Sequence, residues 1–213
     1  MNYFITGLPR SRTSWLANLL TYGRSFCLHD AVGPGTAALE VVNRLTALAL
    51  ETGCDCVGDS DSGLPFLADE LNRLLPSARW VFVHRDAAAA EASFINYFAG
   101  RAYRGGSVIR AEAVPMAFDR AQSALAEALR LIPASRRLDV PYEGLENRVW
   151  VRAIWEWCVP NEPFNGARWE QLHTMQVNPI PEKIRSQRTE DGRRRTSSFA
   201  SYGGQGHEGV LAG

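Results

Sequence analysis

No apolar run in this sequence approaches the ~20 residues that a membrane-spanning helix requires, so no membrane partner is expected. Neither sign of charge is in surplus: Lys and Arg together number 23, as do Asp and Glu. That balance argues against wholesale binding to nucleic acid or to a membrane surface. Cysteine is scarce. Of the four, Cys54 and Cys56 sit as C-x-C with no second pair or histidine at zinc-finger spacing, Cys27 lies in an apolar run and Cys158 in an aromatic one. The pattern predicts reduced, structural thiols and no metal site. There are no internal repeats. The N-terminus shows no basic stretch leading into an apolar segment and a cleavage site, since an apolar strand begins almost at once. Together with the reduced thiols, this predicts a cytoplasmic protein. What is present is ordinary for a globular chain: 213 residues, 46% of them apolar, suit one domain around one sizeable core.

Strand-like and helix-like patterns alternate along the chain. Tyr3 to Ile5 and Ser25 to Leu28 read as buried strands, 54–59 as a weaker one and 137–140 as a fifth. The strongest is 78–84, a continuous apolar run after a proline stop. Helical spacing follows Ser14, with Trp15, Leu16, Leu19 and Leu20 on one side, and again from a Thr36 cap to about Thr52, with Leu39, Val42, Leu45, Leu48 and Ala49 inward. Further helices are predicted over 64–75 (Phe66, Leu67, Leu71, Leu74 and Leu75 apolar), 87–98, 111–131 (Met116, Phe118, Leu125) and 146–158 (Trp150, Ile154, Trp155, Trp157). Such alternation predicts an α/β fold with a mostly parallel five-stranded sheet flanked by helices. Ligands of such sheets bind beyond the carboxyl ends of the strands. The polar clusters at 7–15, 29–35, 59–63 and 85–93 all fall at such ends. After Lys183 the character changes: Arg185, Arg188 and Arg193 to Arg195 precede Ser, Gly and Gln residues with few large apolar ones. We read 1–182 as the folded domain and 183–213 as a basic, Gly/Ser-rich, flexible tail, either a solvated extension or an arginine-bearing flap over an anionic ligand.

The chain is organised around its opening. A strand, the loop Gly7-Leu8-Pro9-Arg10-Ser11-Arg12-Thr13-Ser14 and a helix N-terminus form the arrangement that binds phosphate. Unpaired backbone N–H groups and the positive end of the helix dipole point at such a loop, and its arginines and hydroxyls add donors. Against the triphosphate-binding pattern G-x-x-x-x-G-K-[ST], Gly7 and Ser14 fit, but Arg12 replaces the second glycine and Thr13 the lysine. The missing lysine argues against an ordinary ATPase or GTPase. A second cluster, Val81-Phe82-Val83-His84-Arg85-Asp86 with Ser93 beyond it, puts an arginine at a strand end, where it can fork onto a phosphate or form surface ion pairs.

The segment Pro9-Arg10-Ser11-Arg12-Thr13-Ser14-Trp15 resembles the 5′-phosphosulfate loop of the sulfotransferases that use 3′-phosphoadenylyl sulfate (PAPS), whose pattern runs Pro-Lys/Arg-Ser-Gly-Thr-Ser/Thr-Trp/Leu. Arg12 stands in the glycine position, so a side chain must be accommodated beside the ligand. Arg85, Asp86 and Ser93 resemble the same family's 3′-phosphate site, with Ala87 where proline is usual. Tyr142-Glu143-Gly144-Leu145 looks like its Tyr-Glu-Asp-Leu segment near the nucleotide, with Gly144 in the aspartate position; a local helix start explains that stretch equally well. The resemblance implies a single P-loop-like domain, PAPS as donor, adenosine 3′,5′-bisphosphate (PAP) as product and no metal. By the same resemblance Pro9, Arg10, Ser11, Arg12, Thr13, Ser14, Trp15, Arg85 and Ser93 hold the donor, and Arg10 stabilises charge growing on the bridging oxygen.

A general base must take the acceptor's proton. In the family it is often an acidic residue after the second strand or a histidine elsewhere in the cleft. The sequence offers Asp30 first and His29 close behind, with Asp59 and Asp61 at the next strand end; a turn or capping role suits Asp30 nearly as well. Two other readings stand beside sulfuryl transfer to a hydroxyl or amine: a P-loop nucleotide or small-molecule kinase, and a non-catalytic nucleotide-binding protein of the same fold. The acceptor, a small molecule, glycan or peptide, has no readable code. Residues 31–40 and 99–112 would line its pocket, and Tyr97, Phe98 and Tyr103 suit either an aromatic or sugar ring or the core.

Overall fold

The computed structural model describes residues 1–102 and 113–174. The basic tail over 183–213 and the connector carrying Tyr103 and Arg104 lie outside the described residues. Five strands, β1 (Asn2–Gly7), β2 (Ser25–His29), β3 (Cys56–Ser60), β4 (Arg79–His84) and β5 (Arg137–Pro141), form one sheet in the order β2-β3-β1-β4-β5. Every pairing is parallel. Seven α-helices are described: α1 (Thr13–Leu20), α2 (Ala38–Thr52), α3 (Ala68–Leu74), α4 (Ala87–Ala102), α5 (Val114–Leu131), α6 (Arg148–Cys158) and α7 (Gly166–Thr174). The α/β fold with a five-stranded parallel sheet flanked by helices is therefore present. Among the described residues no helix is long and apolar enough to cross a membrane.

The inner strands β1 and β4 are largely apolar because both faces of the sheet are covered there. Alternation in each strand divides the core in two. Tyr3, Ile5, Val81, Val83 and Val140 pack with α1 and α6, while Phe4, Val57, Trp80 and Phe82 pack with α2, α3, α4 and α5. Full burial of Tyr3, Phe4 and Ile5 contributes roughly 1.5–3 kcal/mol per side chain. Tyr3 lies flat across β3: a Cβ on Gly58 would stand 2.3 Å from its ring, so that strand position must be glycine. The Tyr3 hydroxyl is satisfied by Ser25 Oγ at 3.1 Å. Burial pushes the thiols of Cys27, Cys56 and Cys158 up, and all four cysteines are free. Because α1 leaves β1 over one face while α3 leads from β3 to β4 over the other, the crevice opens at the carboxyl end of β1.

Several local expectations are corrected. The helix expected over 64–75 is a 3-10 turn, Leu64–Leu67, followed by α3. Three residues per turn rotates the apolar stripe, and Phe66 and Leu74 end up 56% and 44% exposed. Thr36 does not cap α2. Its hydroxyl accepts the Gly33 N–H at 2.9 Å and closes the preceding loop instead, leaving Ala37 at the cap; Leu39 and Met116, expected inward, are exposed. The helix expected from Glu146 starts at Arg148, because Tyr142–Glu146 is a 3-10 turn and Asn147 supplies the cap, its Oδ1 accepting the Val149 N–H at 2.8 Å. The sequence reading does not foresee α7. Trp15 Nε1 donates to Leu172 O at 3.0 Å, and Arg168 donates to the last carbonyls of α1, including Leu19 O at 3.2 Å. Those contacts hold α7 against the first helix.

Candidate active site

The loop after β1 owes its shape to three backbone positions. Gly7 passes so close to β4 that a Cβ there would lie 2.6 Å from Val83 O. Arg10 and Arg12 are both left-handed, at φ 74° and 60°. Arg12 is the N-cap residue of α1, and no side chain caps this helix end or places an acid in its first turn. The first N–H groups of α1 therefore keep their positive potential for an anion. Arg12 thus adopts the conformation that favours glycine, at a cost of about 1–2 kcal/mol for the Cβ. Its side chain leaves the loop sideways: the guanidinium pairs with Glu146 and lies 5.5 Å from the centre of the Tyr142 ring.

Ser11 is fully buried, and its hydroxyl has no hydrogen-bond partner among the described residues; the same holds for Arg10 Nε and Thr6 Oγ1. A buried donor without a partner costs about 1–3 kcal/mol, so three such atoms around one loop mark a surface shaped for a polar ligand. Trp15 enters the site through its backbone alone, since its buried side chain is committed to Leu172. Thr13 and Ser14 are half-buried at the start of α1, and Ser60 Oγ donates to Thr13 O at 2.9 Å, tying β3 to this turn.

Arg85, at the end of β4, donates to the Arg10 carbonyl and stacks 4.4 Å from the centre of the Tyr142 ring. Arg10 in turn lies 4.4 Å from the centre of the Tyr97 ring on α4. Ser93 stands one helical turn before Tyr97 on the same side of α4. The loop and the strand-end arginine, 75 residues apart in sequence, are one site. Asp86 does not pair with Arg85; its Oδ1 accepts the Ala89 N–H at 2.8 Å and caps α4. Gly144 has a packing reason to lack a side chain, because its Cβ would sit 2.9 Å from the Trp150 ring.

On the other side of β1, beyond β3, lie His29 and Asp30. His29 Nδ1 is 2.7 Å from Ser60 O, and Nε2 is 3.3 Å from Asp30 Oδ1. Asp30 is left-handed, at φ 57°, with its side chain 79% exposed. Its loop is strapped down by Asp61, which accepts from the N–H groups of Val32 at 2.9 Å and Gly63 at 2.7 Å, and by Arg44, which donates to Ala31 O at 2.7 Å. Asp61 is thereby occupied in structure. Asp59 is fully buried without a hydrogen-bond partner among the described residues; burial, then repulsion from Asp61, pushes its carboxyl up to about 7. With adjacent strands ~4.8 Å apart, the β2 end lies two strands from the loop and Arg85 one strand on the opposite side.

Sequence reasoning located Arg10, Arg85 and the loop but left Tyr142 without a role and missed Glu146, His173 and the stacking use of Tyr97. Only the Tyr-Glu pair of the third segment signalled any of these. The combination can bind a polyanion at β1 and β4 and present a proton acceptor at β2.

Comparison with known proteins finds similarity to sulfotransferases. A family model described as "Sulfotransferase family" matches residues 55–159. No curated protein matches in sequence. The sulfotransferase domain from the curacin biosynthetic pathway superposes with a TM-score of 0.57 at 14% identity, over 82% of this chain and 78% of that one. A sulfotransferase from Alicyclobacillus acidocaldarius gives a TM-score of 0.53 at 14% identity, over 92% of each chain. At that identity the two structures speak for the fold, and the family match speaks for the chemistry. Residues 55–159, just under half of the chain, thus match the sulfotransferase family, and that match supports a sulfotransferase activity.

Proposed function

We propose that the enzyme takes PAPS as its donor, releases PAP, and sulfates a hydroxyl or amine of a small-molecule, glycan or peptide acceptor. The observation that carries this is the contact of Arg85 with the Arg10 carbonyl, beside a Ser11 hydroxyl and an Arg10 Nε that lack partners among the described residues. A nucleotide with phosphates at both 3′ and 5′ positions matches two cationic groups on adjacent strands. In this reading Pro9, Arg10, Ser11, Arg12, Thr13, Ser14 and the backbone of Trp15 hold the 5′-phosphosulfate, and Arg85 with Ser93 holds the 3′-phosphate. The donor supplies an activated sulfuryl group. Arg10 and the N–H groups of α1 stabilise negative charge on its phosphate oxygens. Asp30, with His29 beside it, takes the acceptor's proton. His29 is oriented for this by Ser60 O, and Asp30 by the strapped loop.

Calorimetric titration with PAP, and with ATP–magnesium in parallel, tests the donor. Micromolar PAP binding is expected, weakened roughly 10- to 150-fold by Arg85→Ala, the scale of one lost charge-assisted contact. Preference for ATP–magnesium, or an Arg85→Ala affinity equal to wild type, would overturn the assignment.

A further inference from the structure

The residue that departs from the resembled loop pattern is the one held by a partner from elsewhere in the chain. Arg12 is half-exposed, and its guanidinium is paired with Glu146 Oε1 from the turn after β5. The other oxygen of Glu146 lies 3.4 Å from His173 Nδ1 on α7. Tyr142, at the start of the same turn, has Arg12 at 5.5 Å and Arg85 at 4.4 Å from its ring centre. The turn Tyr142–Glu146 therefore holds two of the site's three arginines, one by stacking and one mainly by charge. No second carboxylate pairs with Arg10, Arg12 or Arg85 among the described residues.

An ion pair whose members are 36% and 50% exposed is worth at most about one kcal/mol and exchanges readily. A phosphate dianion offers the same guanidinium a stronger, forked contact. We infer that Arg12, one of the donor-binding residues of the proposed function, is held in reserve by Glu146, a positioning residue that competes with the nucleotide for it. The inference rests on the PAPS reading. It accounts for an arginine at a left-handed position: the Cβ strain persists because the guanidinium serves the site. It also predicts that the carboxylate weakens nucleotide binding, by occupying Arg12 and by repelling the phosphate.

PAP titrations at several salt concentrations test it, with the Tyr142 and Arg85 contacts left intact. Glu146→Gln should tighten PAP binding about 3- to 10-fold and steepen its salt dependence by close to one counterion. Arg12→Gly, which suits the backbone, should weaken binding about 5- to 30-fold and abolish the effect of Glu146→Gln in the double variant. Arg12→Lys should restore part of the affinity. Weaker binding in Glu146→Gln, or the same gain with and without Arg12, would overturn the inference while leaving the donor assignment standing. Failure of wild type and all variants to bind PAP would overturn both.

Discussion

Asp59 carries a charge problem that should be visible in the stability of the whole fold. It sits near the carboxyl end of β3, opposite Phe4 and Leu28, with no exposed surface. Burial is the largest cause of its raised pKa and repulsion from Asp61 the second, while the Ser60 N–H acts the other way. The carboxyl therefore holds its proton to about 7 instead of 3.8. Below pH 3.8 folded and unfolded chains are both protonated and the group is neutral in its effect. Between 3.8 and about 7 the unfolded chain loses the proton first, so it binds fewer protons and stability falls as pH rises. At about 1.4 kcal/mol per pH unit, the loss reaches roughly 4 kcal/mol by pH 8, a large share of the ~5–15 kcal/mol that holds a typical domain together. Asp59→Asn keeps the shape and cannot ionise. Urea denaturation of both proteins from pH 4 to 8 should give equal stabilities near pH 4 and an advantage of about 2–4 kcal/mol for the variant at pH 8. Parallel pH profiles for the two would show that Asp59 does not titrate in this range and refute the reasoning.

Gly7→Ala should lower stability by about 1–3 kcal/mol, read as a fall in Tm, because the new Cβ meets the Val83 carbonyl and neither strand can retreat; PAP binding should fall with it as the loop shifts. Asp30→Asn should cut turnover about 100-fold with PAP affinity unchanged; a rate equal to wild type would move the proton acceptor elsewhere. Asp61→Ala should release the two N–H groups that fix the Asp30 loop, lowering kcat and Tm together, and intact values of both would show that the strap is dispensable.

What the sequence determined by itself was local. The apolar runs of β1 and β4 specify buried strands whatever surrounds them, and the polar loop between β1 and α1 specifies a place for anions because helix N-termini always leave N–H groups unpaired. Arg85 could be named from its position at a strand end, and Arg10 from its loop and the family pattern that loop resembles. Tertiary structure decided the rest, because the contacts span long sequence separations that no periodicity encodes. Arg85 reaches the Arg10 carbonyl across two neighbouring strands. Tyr142 is a guanidinium platform only because β5 lies beside β4. The consequence of arginine at position 12 was legible as a question, a side chain where glycine is usual; its answer, Glu146, comes from a turn 134 residues away in sequence. The short helix α7 has little apolar surface of its own and is held by α1. Asp59 looks in sequence like any polar residue ending a strand, and its burial follows from its place on an interior strand, between β2 and β1, under helices it meets only in the folded chain.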